Sequence, residues 1–288
     1  MKGLKMSKMK LIYSSLLIFL SLVHTTHGKV IAKLPAVTVT VWVHGTHPAK
    51  RLLESRFSPI RSQVYVPAGL SLAKDLPMHY NFCEIAQECN KRNPEEYGLN
   101  NFYTFGWNSA KITSRQRKKV GNQLYQDLDS LLVNYKKKYR SVKLRLIGFS
   151  HGGNVILNCM SHLPFSCKGI ETEVVLIATP IQESNKWYVN TPYVKRVYSL
   201  YSDGDWIQRI DMQKLHQDAP SNTPLLSGRK FTDSDQVIQV NFRFNGKAIG
   251  HIKYRSVMKY IPDILRQIND QIDSNVTKKH MGLNFIAK

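Results

Sequence analysis

Acidic residues are scarce in this chain. Asp and Glu number 20 among 288 residues, against 41 Lys and Arg, giving a formal net charge of +21. Such an imbalance draws anionic partners, whether phospholipid, acidic polymer or nucleic acid. Two basic clusters stand out, Arg115, Arg117, Lys118 and Lys119, then Lys136, Lys137, Lys138 and Arg140. Both read as solvated faces. No helix-turn-helix, zinc-finger or RNP-like pattern accompanies them, so specific nucleic-acid recognition is not expected.

Cysteine is sparse too, with only Cys83, Cys89, Cys159 and Cys167. Their spacing is wrong for a paired C-x-x-C zinc site. Proximity favours the pairs Cys83–Cys89 and Cys159–Cys167, with free buried thiols as the alternative. Past the N-terminus no apolar run approaches about 20 residues, which argues against a polytopic membrane protein. Internal repeats and low-complexity tracts are absent. The length suits one α/β domain or two small ones, large enough to fold without disulfide or metal.

The first residues stand apart. Lys2, Lys5, Lys8 and Lys10 precede the apolar stretch Leu11 to Val23, and Thr26-His27-Gly28 follows with small residues. That order describes a secretory signal peptide over residues 1–28, hence a secreted or periplasmic protein. Subtracting its four lysines from +21 leaves +17 on the remaining chain. Residues 29–288 are then read as a single domain.

Within that domain, Val37 to Val43 is a β-branched strand ending at His44-Gly45-Thr46-His47-Pro48. The segment from Ala49 to about Asn100 is rich in charge and proline and predicts no definite element. Phe102 to Trp107 reads as a short strand. Thr113-x-x-Gln116 offers a capping box for a helix striped by Val120, Leu124, Leu128, Leu131 and Tyr135. Strands follow around Val142 to Ile147, Glu173 to Ala178, Val194 to Tyr201, and lastly Val237 to Phe244. A closing helix uses Val257, Ile261, Leu265, Ile268 and Ile272. Strands separated by helical patterns predict an α/β fold with a mostly parallel central sheet flanked by helices. In such sheets chemistry gathers at the carboxyl ends of the strands.

One of those ends carries Gly148-Phe149-Ser150-His151-Gly152, followed by Gly153. G-x-S-x-G between a strand and a helix marks a sharp turn that exposes a serine hydroxyl. Gly148, Gly152 and Gly153 supply the small neighbours where strand and helix cross closely. A serine so placed needs a histidine to take its proton and a carboxylate to orient the imidazole. Ser202-Asp203-Gly204-Asp205-Trp206 follows one later strand, and Ile249-Gly250-His251 follows another. The chain order Ser, Asp, His is met. The plain alternative is an ordinary strand–loop–helix connection in which Ser150 caps the helix.

With these residues in place, the chain resembles the α/β-hydrolase superfamily in its lipase and esterase branch. The likeness rests on His44-Gly45, the Gly148-to-Gly153 turn, Asp203-Gly204-Asp205 and Gly250-His251. It implies Ser150 as nucleophile, His251 as general base and an acid within the aspartate pair. Asp205 is favoured because Trp206-Ile207 follows it. Asp203 remains the alternative acid, although Asp-Gly is a turn dipeptide. The resemblance also implies an oxyanion hole built from the His151 N–H and an N–H of Gly45 or Thr46. It makes His44 a loop former rather than a base. A metal pair of His44 and His47 lacks a third ligand, so neither metal nor cofactor is expected, and His216 is read as surface.

In lipase-like relatives, segments such as 49–100 and 212–235 shape an acyl pocket or a lid. The resemblance therefore implies a small-molecule or lipid ester as substrate, and the basic surface favours an anionic membrane as partner. The leading expectation is an exported serine hydrolase that acts through an acyl-enzyme. An acyltransferase with the same residues, and a non-catalytic module that binds anionic surfaces, remain open. Oligomeric state is not legible.

Overall fold

The alternation of apolar side chains along the strands builds a sheet with two buried faces. The computed structural model describes residues 34–46, 66–77, 80–109, 113–210, 224–226, 228, 230–231, 234–273 and 280–287. Residues 1–28, read above as a signal peptide, residues 49–65 and most of 212–235, with His47 and His216, lie outside them.

The strands are β1 (Leu34–Val43), β2 (Gly69–Leu72), β3 (Phe102–Gly106), β4 (Tyr139–Phe149), β5 (Ile170–Ile177), β6 (Val194–Tyr201), β7 (Val237–Phe244), β8 (Lys247–Ala248) and β9 (His280–Phe285). They form one sheet in the order β2-β3-β1-β4-β5-β6-β7-β8, with β9 also paired to β7. Registers are parallel for β1 with β3, β4 with β5, β5 with β6, β6 with β7 and β7 with β9. β2 and β8 run antiparallel to their neighbours. The mostly parallel α/β architecture is thus present.

Helices α1 (Asn81–Arg92), α2 (Ser114–Lys138), α3 (His151–Met160), α4 (Tyr254–Val257) and α5 (Ile261–Asp273) cover the sheet. Val142, Leu144, Leu146, Val174 and Leu176 point to one face and pack with Leu124, Leu128 and Leu132 of α2 and Val155 and Ile156 of α3. Ile147, Phe149, Val175 and Ile177 point to the other, with Phe82 and Ile85 of α1 and Ile264, Leu265 and Ile268 of α5. Period-two strands meeting helical stripes is what gives each face its own core. The Thr113 hydroxyl accepts the Gln116 N–H at 3.2 Å and caps α2.

Several expectations need correction. The described part of the 49–100 segment is no lid. Leu70 and Leu72 belong to an edge strand, and Phe82, Ile85, Ala86 and Cys89 recur at helical spacing on α1 and are buried in the core. Val237–Phe244 is not the last strand, because β9 follows α5. The closing helix is broken into α4, a 3₁₀ turn at Met258–Tyr260, and α5. Pro262 explains the break: it has no N–H to give Met258 O, and its ring would crowd that carbonyl. At the second residue of α5 the missing donor costs nothing. No disulfide forms, since all four cysteines are free. Cys83 and Cys89 sit six residues apart on α1, too far round the helix to bridge. Burial pushes the Cys89 and Cys159 thiols well above the ordinary range.

Arg117 is not part of a solvated face either. It is 1% exposed, while Arg115, Lys118 and Lys119 around it are exposed. It falls three residues before Val120 and seven before Leu124, on the buried stripe of α2.

Candidate active site

Ser150 joins β4 to α3 with φ 53° and ψ −130°, a conformation costly for a residue with a side chain. The surroundings hold it there. Its N–H donates to Ile177 O at 2.8 Å, and its carbonyl accepts from Gly153 N at 3.0 Å. A Cβ on Gly148 would lie 2.6 Å from Gly153 Cα, and one on Gly152 would lie 2.3 Å from Val43 O. Strand and helix therefore cross at a distance that only glycine permits.

The loops after β6 and β8 bring the remaining groups to that turn. Asn245 and Gly246, both at positive φ, reverse the chain between β7 and β8. Ile249 N–H then reaches Ser202 Oγ at 2.9 Å, tying the segment before His251 to the end of β6. His251 Nδ1 lies 2.8 Å from Asp205 Oδ2, and Nε2 lies 2.9 Å from Ser150 Oγ. A carboxylate only accepts, so Nδ1 carries the proton and Nε2 is left to accept from the serine hydroxyl. Asp205 is fully buried, and its Oδ1 takes the Gln208 N–H at 3.0 Å. Gln208 Nε2 reaches Thr179 O at 2.7 Å and ties this loop to the one after β5. Phe149 packs against the imidazole with ring centroids 5.0 Å apart. Asp203 is elsewhere: it is exposed and accepts from Asn241 Nδ2 at 2.7 Å.

Gly45 and Thr46 lie beside the serine, and a Cβ on Gly45 would come within 2.9 Å of Ser150 Cβ. His44 is bound in the loop. Its Nε2 accepts the Trp107 N–H at 3.1 Å, so Nδ1–H donates to Gly45 O at 2.8 Å. Trp107 Nε1 donates to His44 O at 2.8 Å, and the two rings stack. Trp107 was not legible as part of the site; only its place just past β3 hinted at it. His151 begins α3, so its N–H lies outside the intrahelical ladder. Its ring Nδ1 accepts from Arg117 Nη1 and Asn154 Nδ2, both at 3.4 Å. Arg117 Nη2 also donates to Gln182, and Asn154 Nδ2 donates to Pro180 O at 2.9 Å. These bonds lock α2, α3 and the loop after β5 behind the turn.

A cavity of about 460 Å³ opens onto Ser150 and His251. Thr46, His151, Ile207, Ile210, Ile252 and Arg255 are among the residues that line it. A larger cavity, about 840 Å³, lies at the amino ends of β5 and β6 and includes Cys167 and Tyr193, away from this rim. Among the described residues no group of three or more His, Cys, Asp or Glu is placed to hold a metal.

The family described as "Protein of unknown function (DUF726)" matches residues 102–271. The chain belongs to that family. The matched span runs from β3 through most of α5, so Ser150, Asp205, His251 and Arg255 fall inside it, while His44, Gly45 and Thr46 fall outside. No curated protein matches the chain.

Proposed function

We propose that this protein is a serine hydrolase of α/β-hydrolase type that cleaves a carboxylic ester through an acyl-enzyme. The observation that carries the reading is the unbroken chain Ser150–His251–Asp205, at 2.9 and 2.8 Å, facing a cavity from a strained serine.

The chemistry follows from the tautomer. Ser150 Oγ attacks the ester carbonyl while His251 Nε2 takes its proton, and buried Asp205 stabilises the imidazolium through Nδ1–H. The carbonyl oxygen, now negative, would face the His151 N–H and an N–H of Gly45 or Thr46. His251 returns the proton to the departing alkoxide, leaving Ser150 acylated. A water then gives its proton to Nε2 and attacks the acyl carbon. Collapse expels Ser150 Oγ, which recovers the proton, and the acid leaves. The leader-like residues 1–28 would place this activity outside the cytoplasm.

A fluorophosphonate probe tests the reading. Ser150 should be labelled and Ser150→Ala should not, with p-nitrophenyl ester hydrolysis lost in parallel. Undiminished hydrolysis in that variant would end the proposal.

A further inference from the structure

Arg255 lines the same cavity as Ser150 and His251, one helical turn beyond His251 in the chain. Its Nε is shielded from solvent without a hydrogen-bond partner, and no ion pair with it forms among the described residues. Burial alone acts on its pKa, pushing it below the ordinary arginine value. The guanidinium nonetheless stays charged at neutral pH. Glu84 and Lys259 share with Arg255 a smaller adjoining cavity of about 310 Å³, yet Glu84 makes no ion pair with it.

A half-buried cation with no counter-charge is costly to keep, and the cost falls when an anion arrives. Ile207 and the partly exposed Ile210 and Ile252 line the same cavity. Apolar walls weaken screening and strengthen a bidentate bond between guanidinium and a carboxylate or phosphate. We propose that Arg255 is the anion-binding residue of the cavity, so that the ester taken by Ser150 carries a carboxylate or phosphate group. The assignment of substrate class rests on the hydrolase reading above; the anion site itself does not.

Turnover and binding separate the two. At ~0.15 M salt, kcat/KM is compared for p-nitrophenyl hemiglutarate and its neutral counterpart, p-nitrophenyl valerate. The charged-to-neutral ratio should fall about tenfold in Arg255→Gln and less in Arg255→Lys, the size of one charge-assisted hydrogen bond. In Lys253→Gln, which removes a neighbouring exposed charge, it should move less than about twofold; a fall equal to that of Arg255→Gln would mean long-range steering and would overturn Arg255 as the binding residue. Vesicles of phosphatidylglycerol and phosphatidylcholine form the second arm. A fall on soluble esters assigns the anion to a soluble substrate, and a fall confined to vesicles assigns it to a lipid headgroup. An unmoved ratio in both arms overturns the substrate class.

Calorimetry with n-hexyl phosphate reads the anion site without turnover. Affinity should drop about tenfold in Arg255→Gln and recover in part in Arg255→Lys; equal affinity overturns the site. If binding depends on Arg255 but no ester is cleaved and Ser150 is unlabelled, the hydrolase reading fails and the anion site stands.

Discussion

Strand β4 carries a buried polar cluster in its middle and another at its end, built to opposite designs. In the middle, Arg145 Nε meets Glu173 Oε2 at 2.7 Å and Nη2 meets Glu96 Oε2 at 2.9 Å. The guanidinium also lies 4.8 Å from the Tyr97 ring centroid. Burial opposes its charge, but Tyr97, Glu173 and Glu96 outweigh that and hold its pKa above the ordinary arginine value. At the end of the strand, Ser150 and His251 face a cavity, and Arg255 beside them has no counter-charge. Burial is common to both clusters, so burial does not mark a site. What differs is the charge balance: Arg145 is matched by Glu173 and Glu96, although its Nη1 and the Tyr97 hydroxyl stay without hydrogen-bond partners, whereas Arg255 has no counter-charge and lines a cavity.

The comparison breaks most sharply at Ser150. Ser150→Ala should lower kcat by about 10⁶-fold, the scale seen when a serine hydrolase loses its nucleophile. Its unfolding free energy should shift by less than about 1 kcal/mol, since on the proposed hydrolase reading the hydroxyl serves chemistry and not packing. Urea unfolding beside steady-state kinetics reads both; a large stability loss would make the strand end structural after all.

The two aspartates sharpen it next. Asp205→Asn should cost about 10⁴-fold in kcat by favouring the wrong imidazole tautomer. Asp203→Asn removes a surface bond to Asn241 and should cost less than about tenfold, because exposed pairs contribute little. If the two losses came out reversed, the carboxylate would be misassigned.

Mid-strand, the prediction inverts. Arg145→Met leaves Glu173 and Glu96 without their main cation and should destabilise by about 3 kcal/mol or more. Ester hydrolysis per folded molecule should be unchanged. Denaturant midpoints and active-site titration check this, and a selective loss of turnover would tie Arg145 to the chemistry.

The sequence carries the strand-end groups more openly than the mid-strand ones, for a physical reason. Ser150 and Asp205 each sit just past an element whose apolar period is plain, so their places along one rim follow from topology; His251 comes after β7 by way of the Asn245-Gly246 turn and the short, exposed β8. The Arg145–Glu173 pair depends on β4–β5 register, and Glu96 reaches it from a loop after α1; neither has a local signature. Arg117 did have one, its position on the stripe of α2, hidden by the lysines around it. The Asn245-Gly246 hairpin and Asp205-x-x-Gln208 cap were also readable. β2 and β9 were not, because an edge strand of four residues and a final strand of mixed polarity show little periodicity. Arg255 looks like any surface arginine until the fold shows what faces it.

The mildest effect concerns Glu96, whose side chain is 38% exposed and so partly screened by water. Burial raises its pKa, but Arg145 and Lys143 more than offset that and leave it below the usual carboxylate value. A carboxyl whose folded pKa is depressed adds stability above its unfolded pKa, about 4.3, and loses it as pH falls through the folded one. Glu96→Gln removes that titration. The variant should therefore be somewhat less stable than wild type at neutral pH, with the gap narrowing as the medium is acidified through that range. Chemical denaturation across a pH series measures it. Parallel curves would mean that Arg145 draws its compensation from Glu173 alone, and that the mid-strand cluster is closed by a single carboxylate.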